Sequence, residues 1–295
     1  MEEISGENNL LTKKLHCAKC GTIVSDMERR PSNPPLLKVS NSLSRGLQIL
    51  ESFSQNRYHL SLSELQKATN TPKSSLFRLL KILTGLNYLE YDSENKKYYL
   101  GPRVLSLGFS VLQSMEVREI ARPYMERLSR ECNKSINLLM LDRQHMVFIE
   151  RIRVPGLRDF NISIGSRIPI YNTAAGRVVL AYLEKEKFSE TINEIRRDPS
   201  AARCIGRNGQ RLVQFLNGVK REGFAINDEE STEGLRAIAV PIFSSEGVTC
   251  AINLIVAPEE VSLKQLKGEY APKVIRAGKE LSRALGYPQA EYIAR

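Results

Sequence analysis

Lys73, Ser74, Ser75, Arg78 and Lys81 lie close together in the chain, with Phe77 among them. These are side-chain types that meet a DNA duplex. Lysine and arginine neutralise phosphates, and short polar side chains at a helix start reach base edges. Phe77 has two readings, a contact to a thymine methyl or a core residue. Lys96 and Lys97 stand in the polar turn Asp92-Ser93-Glu94-Asn95-Lys96-Lys97, where they can meet a phosphate backbone. Ser63 and Thr71 complete the set of candidate DNA contacts.

A helix must present this face. Leu76, Leu79, Leu80 and Leu83 recur at three- and four-residue spacing, which leaves the polar set on the opposite side. Thr71 as N-cap and Pro72 at the first helical position predict where the helix starts. Before it, Leu62, Leu65 and Ala68 or Thr69 mark a shorter helix. Ser61 or Ser63 caps that helix, Glu64 favours its first turn, and Asn70 tolerates the left-handed backbone that ends it. Strand, polar turn and strand follow over 86–100, so the pattern reads as a winged helix-turn-helix. Leu43, Leu47 and Leu50 predict an earlier helix packed beneath the pair, capped by Asn41 or Ser42.

The 295 residues suffice for two domains and a tail. Residues 1–38 form a polar tail, 39–101 the winged module, 102–115 a linker helix, 116–288 a second domain and 289–295 a C-terminal tail. Leu105, Phe109 and Leu112 on the linker helix can form a dimer seam. In the second domain, strands are expected at 135–141, 145–151, 160–164, 235–243 and 249–256, with another starting at Gly223. Helices are expected at 116–132, 174–183, 185–197, 209–223 and 262–285. This mixture gives an α+β class with a mainly antiparallel sheet. The net charge of +10 favours an acidic partner such as nucleic acid. Residues 39–101 carry eight Lys/Arg against five Asp/Glu, so most of the surplus lies elsewhere and the motif is the stronger argument.

Five cysteines without a disulfide-like framework suggest a reducing cytoplasm. No apolar run reaches membrane-spanning length and the polar N-terminus shows no signal peptide. Cys17 and Cys20 form a Cys-x-x-Cys-Gly, half of a zinc knuckle, and no second cysteine pair follows nearby. No cofactor or metal is therefore expected, zinc at Cys17 and Cys20 being the exception to test. A thiol redox enzyme is the alternative from another class. Cys132, Cys204 and Cys250 lie in the second half, but none has a Cys-x-x-Cys partner or a nearby His base. No Ser-His-Asp order, metal-binding His cluster or phosphate loop appears, so an enzyme is not expected. A sensor or interaction module without DNA binding is the third reading, and it leaves the 73–81 face unexplained.

Several segments together carry a family resemblance. They are Ser42–Leu50, Thr71–Leu80, Tyr99-Leu100-Gly101, Gly165–Pro169, Thr173-Ala174-Ala175-Gly176-Arg177, Gly223–Glu230 and Gly234–Pro241. In that order and spacing, residues 39–288 resemble the IclR family of bacterial transcriptional regulators, in particular those controlling aromatic-acid catabolism. The resemblance implies a winged DNA-binding domain and a GAF-like effector-binding domain. It implies homodimers or dimers of dimers on a palindromic operator, and small organic acids as effectors. It places the effector on the sheet beneath the helix start at Thr173, Ala174, Ala175 and Gly176, where backbone N–H groups attract a carboxylate. The family's contacting Asp falls on Asn227, with Asp228 as the alternative. Ala237 stands where many members carry Cys, and Asn253 and Ile255 fall near a pair of contacting serines. Those departures favour a larger or aromatic acid over a glyoxylate-like one. Met140 and Phe148 would line the pocket, and Arg151 and Arg158 are candidates to pair with the carboxylate.

Overall fold

The computed structural model describes residues 41–54, 57–155, 162–206 and 209–287. The Cys17–Cys20 knuckle and Arg158 lie outside the described residues. The chain divides into two compact units, one ending at Met115 and the other beginning at Glu116.

In the first unit, helix α1 (Asn41–Leu50) precedes strand β1 (Leu60–Ser61), helices α2 (Leu62–Thr69) and α3 (Lys73–Gly85), strands β2 (Leu89–Asp92) and β3 (Lys97–Leu100), and helix α4 (Pro102–Ser114). The three strands pair antiparallel in the order β1-β3-β2, so the wing gains a strand that the sequence reading omitted. Ile49, Leu60, Leu65, Leu76, Leu79, Leu80 and Leu89 form the core, with Leu50, Phe53, Leu62, Leu83 and Tyr98 packed around it. This corrects the expected α1 contact. Leu43 is 62% and Leu47 is 51% exposed, and α1 enters the core through Ile49 and Leu50 instead.

Ser61 is the cap of α2. Its hydroxyl accepts the Glu64 N–H, and Glu64 reaches back to the Ser61 N–H at 2.8 Å, a reciprocal capping box. Those bonds from Ser61 hold the Glu64 carboxyl below its ordinary pKa. Asn70 ends the helix at φ 47°, as expected of an αL cap. Thr71 departs from its expected role. It is buried and its hydroxyl donates to the Thr69 carbonyl at 3.3 Å, while Pro72 holds the cap position of α3. Thr71 therefore locks the turn from inside and offers no side-chain atom to DNA.

The second unit starts with α5 (Glu116–Cys132), which runs through Pro123. The β4 (Ser135–Asp142) and β5 (His145–Ile152) hairpin follows, then edge strand β6 (Arg167–Pro169). Of the expected strand at 160–164, the described residues 162–164 form no strand. Residues 156–161 lie outside the description, and Ile164 and Gly165 form a turn tied to Phe148 by the Gly165 N–H at 2.8 Å. Helices α6 (Ala174–Tyr182), α7 (Lys185–Arg197), α8 (Ala201–Ile205) and α9 (Gln210–Glu222) come next. Strands β7 (Ala225–Asp228), β8 (Arg236–Ser244) and β9 (Gly247–Val256) complete a six-stranded antiparallel sheet in the order β6-β5-β4-β9-β8-β7. The expected last helix is divided into α10 (Leu263–Gln265), a π turn (Leu266–Tyr270) and α11 (Ala271–Ala284).

Strand alternation sorts this sheet into two faces. Leu139, Phe148, Ala225, Ala237, Ala239, Ala251 and Ile255 share a core with α6 and α9. Paired residues one step along each strand, such as Ile238 with Leu254 and Val240 with Ile252, point to the opposite face. Among the described residues, no helix is long and apolar enough to cross a membrane.

One helical glycine lies in the interior of α9. A Cβ at Gly218 would meet nothing within 4 Å. Gly218→Ala is expected to stabilise the protein by about 0.5–1 kcal/mol, because alanine loses less backbone freedom on folding. Thermal denaturation checks this; an unchanged or lower midpoint contradicts it.

Candidate functional site

The exposed side of α3 is one stripe. Lys73, Ser74, Phe77, Arg78 and Lys81 are all exposed and recur at helical spacing, Ser75 is half-buried, and Leu76, Leu79 and Leu80 turn into the core. Phe77 is 57% exposed, which settles its two readings: it sits on the polar face and is not a core residue. An exposed ring flanked by Ser74, Arg78 and Lys81 can pack on a thymine methyl while its neighbours engage bases and phosphates. Ser63 is exposed in the first turn of α2. Thr71, in the turn between α2 and α3, is buried, unlike every predicted contact on the two helices.

In the wing, Asp92 organises the turn. Its carboxylate accepts the Glu94 and Asn95 N–H groups at 2.9 and 3.0 Å and the Asn95 side-chain amide at 2.6 Å. These bonds, led by the Asn95 side chain, lower the Asp92 pKa. Lys96 follows at φ 53° and is exposed at the tip, while Lys97 is half-buried in β3 opposite Asp92. The tip therefore offers Lys96 more fully than Lys97.

The second candidate site is the sheet face under α6. Thr173 caps α6 by accepting the Gly176 N–H at 3.1 Å and donates to the Pro169 carbonyl at 2.9 Å. The first N–H groups of any helix lack partners within it, which leaves those of Ala174 and Ala175 to partners outside the helix. Gly176 is small for packing: a Cβ there would lie 1.9 Å from the Ile170 carbonyl oxygen.

Register places the other predicted residues. Asn227, Ala237 and Ile255 form one cross-strand row on the α6 face. The next row on that face runs Ala225, Ala239, Asn253, Asn137 and Arg151. Phe148 joins the same core. Two expected residues do not. Met140 pairs with Cys250, one step from Leu139 and Ala251, so it points to the opposite face. Asp228 follows Asn227 by one residue and also turns away, where Arg236 holds it with Nε at 2.8 Å and Nη2 at 2.7 Å. Asn227 is on the right face but is committed to bracing. Its amide donates to the Asn172 carbonyl at 2.6 Å and its oxygen accepts from Ser231.

Two residues here were not anticipated. Asn137 is fully buried, and its amide donates to Asn253 Oδ1 at 2.7 Å. The sequence signal was a lone amide inside the apolar run Ser135–Asp142. Arg177 is 2% exposed, grips Glu230 with Nη1 at 3.0 Å and Nη2 at 2.7 Å, and lies 3.7 Å above the Phe215 ring. Arg151 is half-buried and donates to the Ile162 carbonyl.

Burial shifts two titratable groups of this unit toward their uncharged forms. Burial raises the Tyr171 pKa, and its hydroxyl bonds Asp198 and Ser200 at 3.2 and 3.0 Å. Burial lowers the His145 pKa, with Arg167 adding to the effect. On the other side of the sheet, burial pushes the Cys132 thiol up to about 11, which suits packing and not nucleophilic chemistry.

Known proteins share both halves of this arrangement. The family model described as the IclR helix-turn-helix domain matches residues 42–93. That of the bacterial transcriptional regulator IclR C-terminal matches residues 109–283. The HTH-type transcriptional regulator XynR of Escherichia coli (strain K12) is 30% identical over 253 residues, 85% of this chain and 100% of that protein. The Pca regulon regulatory protein of Pseudomonas putida is 29% identical over 246 residues, 83% of this chain and 84% of that protein. The crystal structure of an IclR family transcriptional regulator from Brucella abortus shares the fold with a TM-score of 0.71, at 24% identity, over 84% of this chain and 93% of that one. These relatives are regulators and not enzymes, and this chain belongs to the IclR family of bacterial transcriptional regulators.

Proposed function

We propose that this regulator controls catabolic genes in the cytoplasm and changes its operator affinity when a small organic acid, of a size that admits an aromatic ring, binds beneath the start of α6. The observation that carries this reading is the α6 face of the sheet. It joins a capped helix start to small side chains (Ala237, Ala239, Ala251), a buried amide pair (Asn137, Asn253) and the Phe148 ring. Helix N–H groups and Arg151 suit a carboxylate, and the alanines with the Phe148 ring suit an apolar body. Calorimetric titration of the full chain against a panel of aliphatic and aromatic acids tests it. Heat from at least one acid is expected; folded protein that takes up none of them contradicts it.

The working unit is a homodimer, alone or as a dimer of dimers, placing two α3 helices in major grooves of a pseudopalindrome. Support comes from α4, on which Leu105, Leu107, Phe109 and Val111 are all exposed and no residue is buried. A single chain leaves that apolar surface in water, and a second copy would cover it.

Two substitutions separate the roles on α3. Arg78→Ala is expected to weaken operator binding by about 1–3 kcal/mol if the guanidinium reads a base. A loss equal on all sequences, with the salt slope reduced by about one unit, would assign it to phosphate instead. Phe77→Ala is expected to weaken specific binding while leaving the salt slope unchanged, because the ring carries no charge. Fluorescence anisotropy at several salt concentrations reads both. Unchanged affinity in both variants would mean that α3 does not face DNA.

A further inference from the structure

We infer that Asn137 selects the effector, and that it selects for a hydroxyl group carried on the acid. The inference rests on the effector reading above and sharpens it to a ligand class.

Asn137 is fully buried in the middle of the sheet. Its amide nitrogen donates to Asn253 Oδ1, but its own Oδ1 is buried and takes no hydrogen bond among the described residues. Register fixes where the side chain stands. Asn137 lies opposite Asn253, which lies opposite Ala239, and Ala239 packs in the core beneath α6. A second such oxygen, Asn172 Oδ1, is one residue before the α6 cap. The face thus combines donors at the helix start with acceptors that lack a donor.

A buried acceptor without a partner is costly, so something that donates a hydrogen bond belongs there. An ionised carboxylate only accepts and cannot serve. It satisfies the N–H groups of Ala174 and Ala175 and leaves Asn137 Oδ1 as it was. A hydroxyl on the same molecule supplies the missing donor. An ammonium group would donate too, but Arg151 closes the same row and like charges repel. The complementary ligand is a hydroxy acid, with the carboxylate toward α6 and the hydroxyl toward the amide pair. Asn253 holds the Asn137 amide in the orientation that keeps its oxygen available, and is a positioning residue.

The test uses matched acids on the full chain in isothermal titration calorimetry. The pairs are propionate with lactate, and benzoate with 3- and 4-hydroxybenzoate, together with the methyl ethers of the latter two. At least one hydroxy acid should bind about tenfold or more tightly than its parent acid, as a restored buried hydrogen bond requires. Its methyl ether, which cannot donate, should lose that advantage. In Asn137→Leu the preference should fall to within about twofold to threefold, the loss falling on the hydroxy acid. Parent acids and hydroxy acids binding equally would overturn the inference while leaving the effector reading intact. A preference that persists in folded Asn137→Leu would also overturn it. If no acid binds, the effector reading fails and this inference fails with it. The wild-type comparison needs no variant, so misfolding of Asn137→Leu leaves the inference open to refutation.

Discussion

Arg177→Ala will cost the C-terminal unit about 3–5 kcal/mol, the penalty for leaving one member of a buried ion pair without its partner. Among the described residues Arg177 is the largest side chain that is almost fully buried, and the Glu230 side chain is only 14% exposed. The guanidinium makes a two-pronged contact with Glu230, donates to the Ile226 carbonyl at 3.3 Å, and stacks on Phe215. Truncation removes all three and opens a cavity. The thermal midpoint should fall by roughly 10 °C, given about 2–4 °C per kcal/mol for a unit of this size. The double variant Arg177→Ala with Glu230→Ala should lose less than the sum of the single losses, because the second change removes the stranded charge. Arg177 lies in the first turn of α6 and Glu230 in the loop after β7, so the pair also fixes the helix start against that loop. Acid affinity should weaken in the same variant. A loss below about 1 kcal/mol would mean the pair contributes no more than an exposed one.

Gly176→Ala will be at least as damaging for a single methyl group. The added Cβ would lie 1.9 Å from the Ile170 carbonyl oxygen and 2.5 Å from its Cα. Both are backbone atoms, so no rotamer change relieves the overlap. Either α6 or the segment after β6 must move, and Thr173 with its two hydrogen bonds moves with it. A cost of about 3 kcal/mol or more is expected, at the upper end for overpacking. The result should be read beside Gly218→Ala, where the same methyl meets open space and is expected to stabilise. Equal midpoints for the two variants would contradict the close approach at Gly176.

The contrast between these glycines shows which parts of the molecule the sequence can and cannot reveal. Local rules were enough for the helix-turn-helix. The Ser61–Glu64 box, the Asn70 end and the apolar spacing of α3 each follow from neighbours a few residues away. They could not settle the rotation of a helix. Leu43 and Leu47 make an apolar stripe as regular as one built on Ile49, and only packing against α2 and α3 chose between them. Phe77 was ambiguous for the same reason. In the sheet, the decisive quantity is parity. A shift of one residue moves a side chain to the other face, which is why Asn227 reaches the α6 side and Asp228 does not. Met140 was misplaced in the same way, beside a β4–β5 register shift at Leu138/Leu139 that alternation alone does not announce. Asn137 and Arg177 escaped notice because their meaning depends on partners 116 and 53 residues away.

On the proposed function, the exposed stripe of α3 reads DNA sequence in a ligand-controlled regulator. Selection of the full chain on a random duplex pool, followed by sequencing, tests it most directly. The wild type should enrich a pseudopalindrome with half-sites about one helical turn apart or a multiple of it. The double variant Phe77→Ala with Arg78→Ala, still folded, should lose or alter that motif. Enrichment of the same motif by both proteins, or of none by the wild type, would contradict the account.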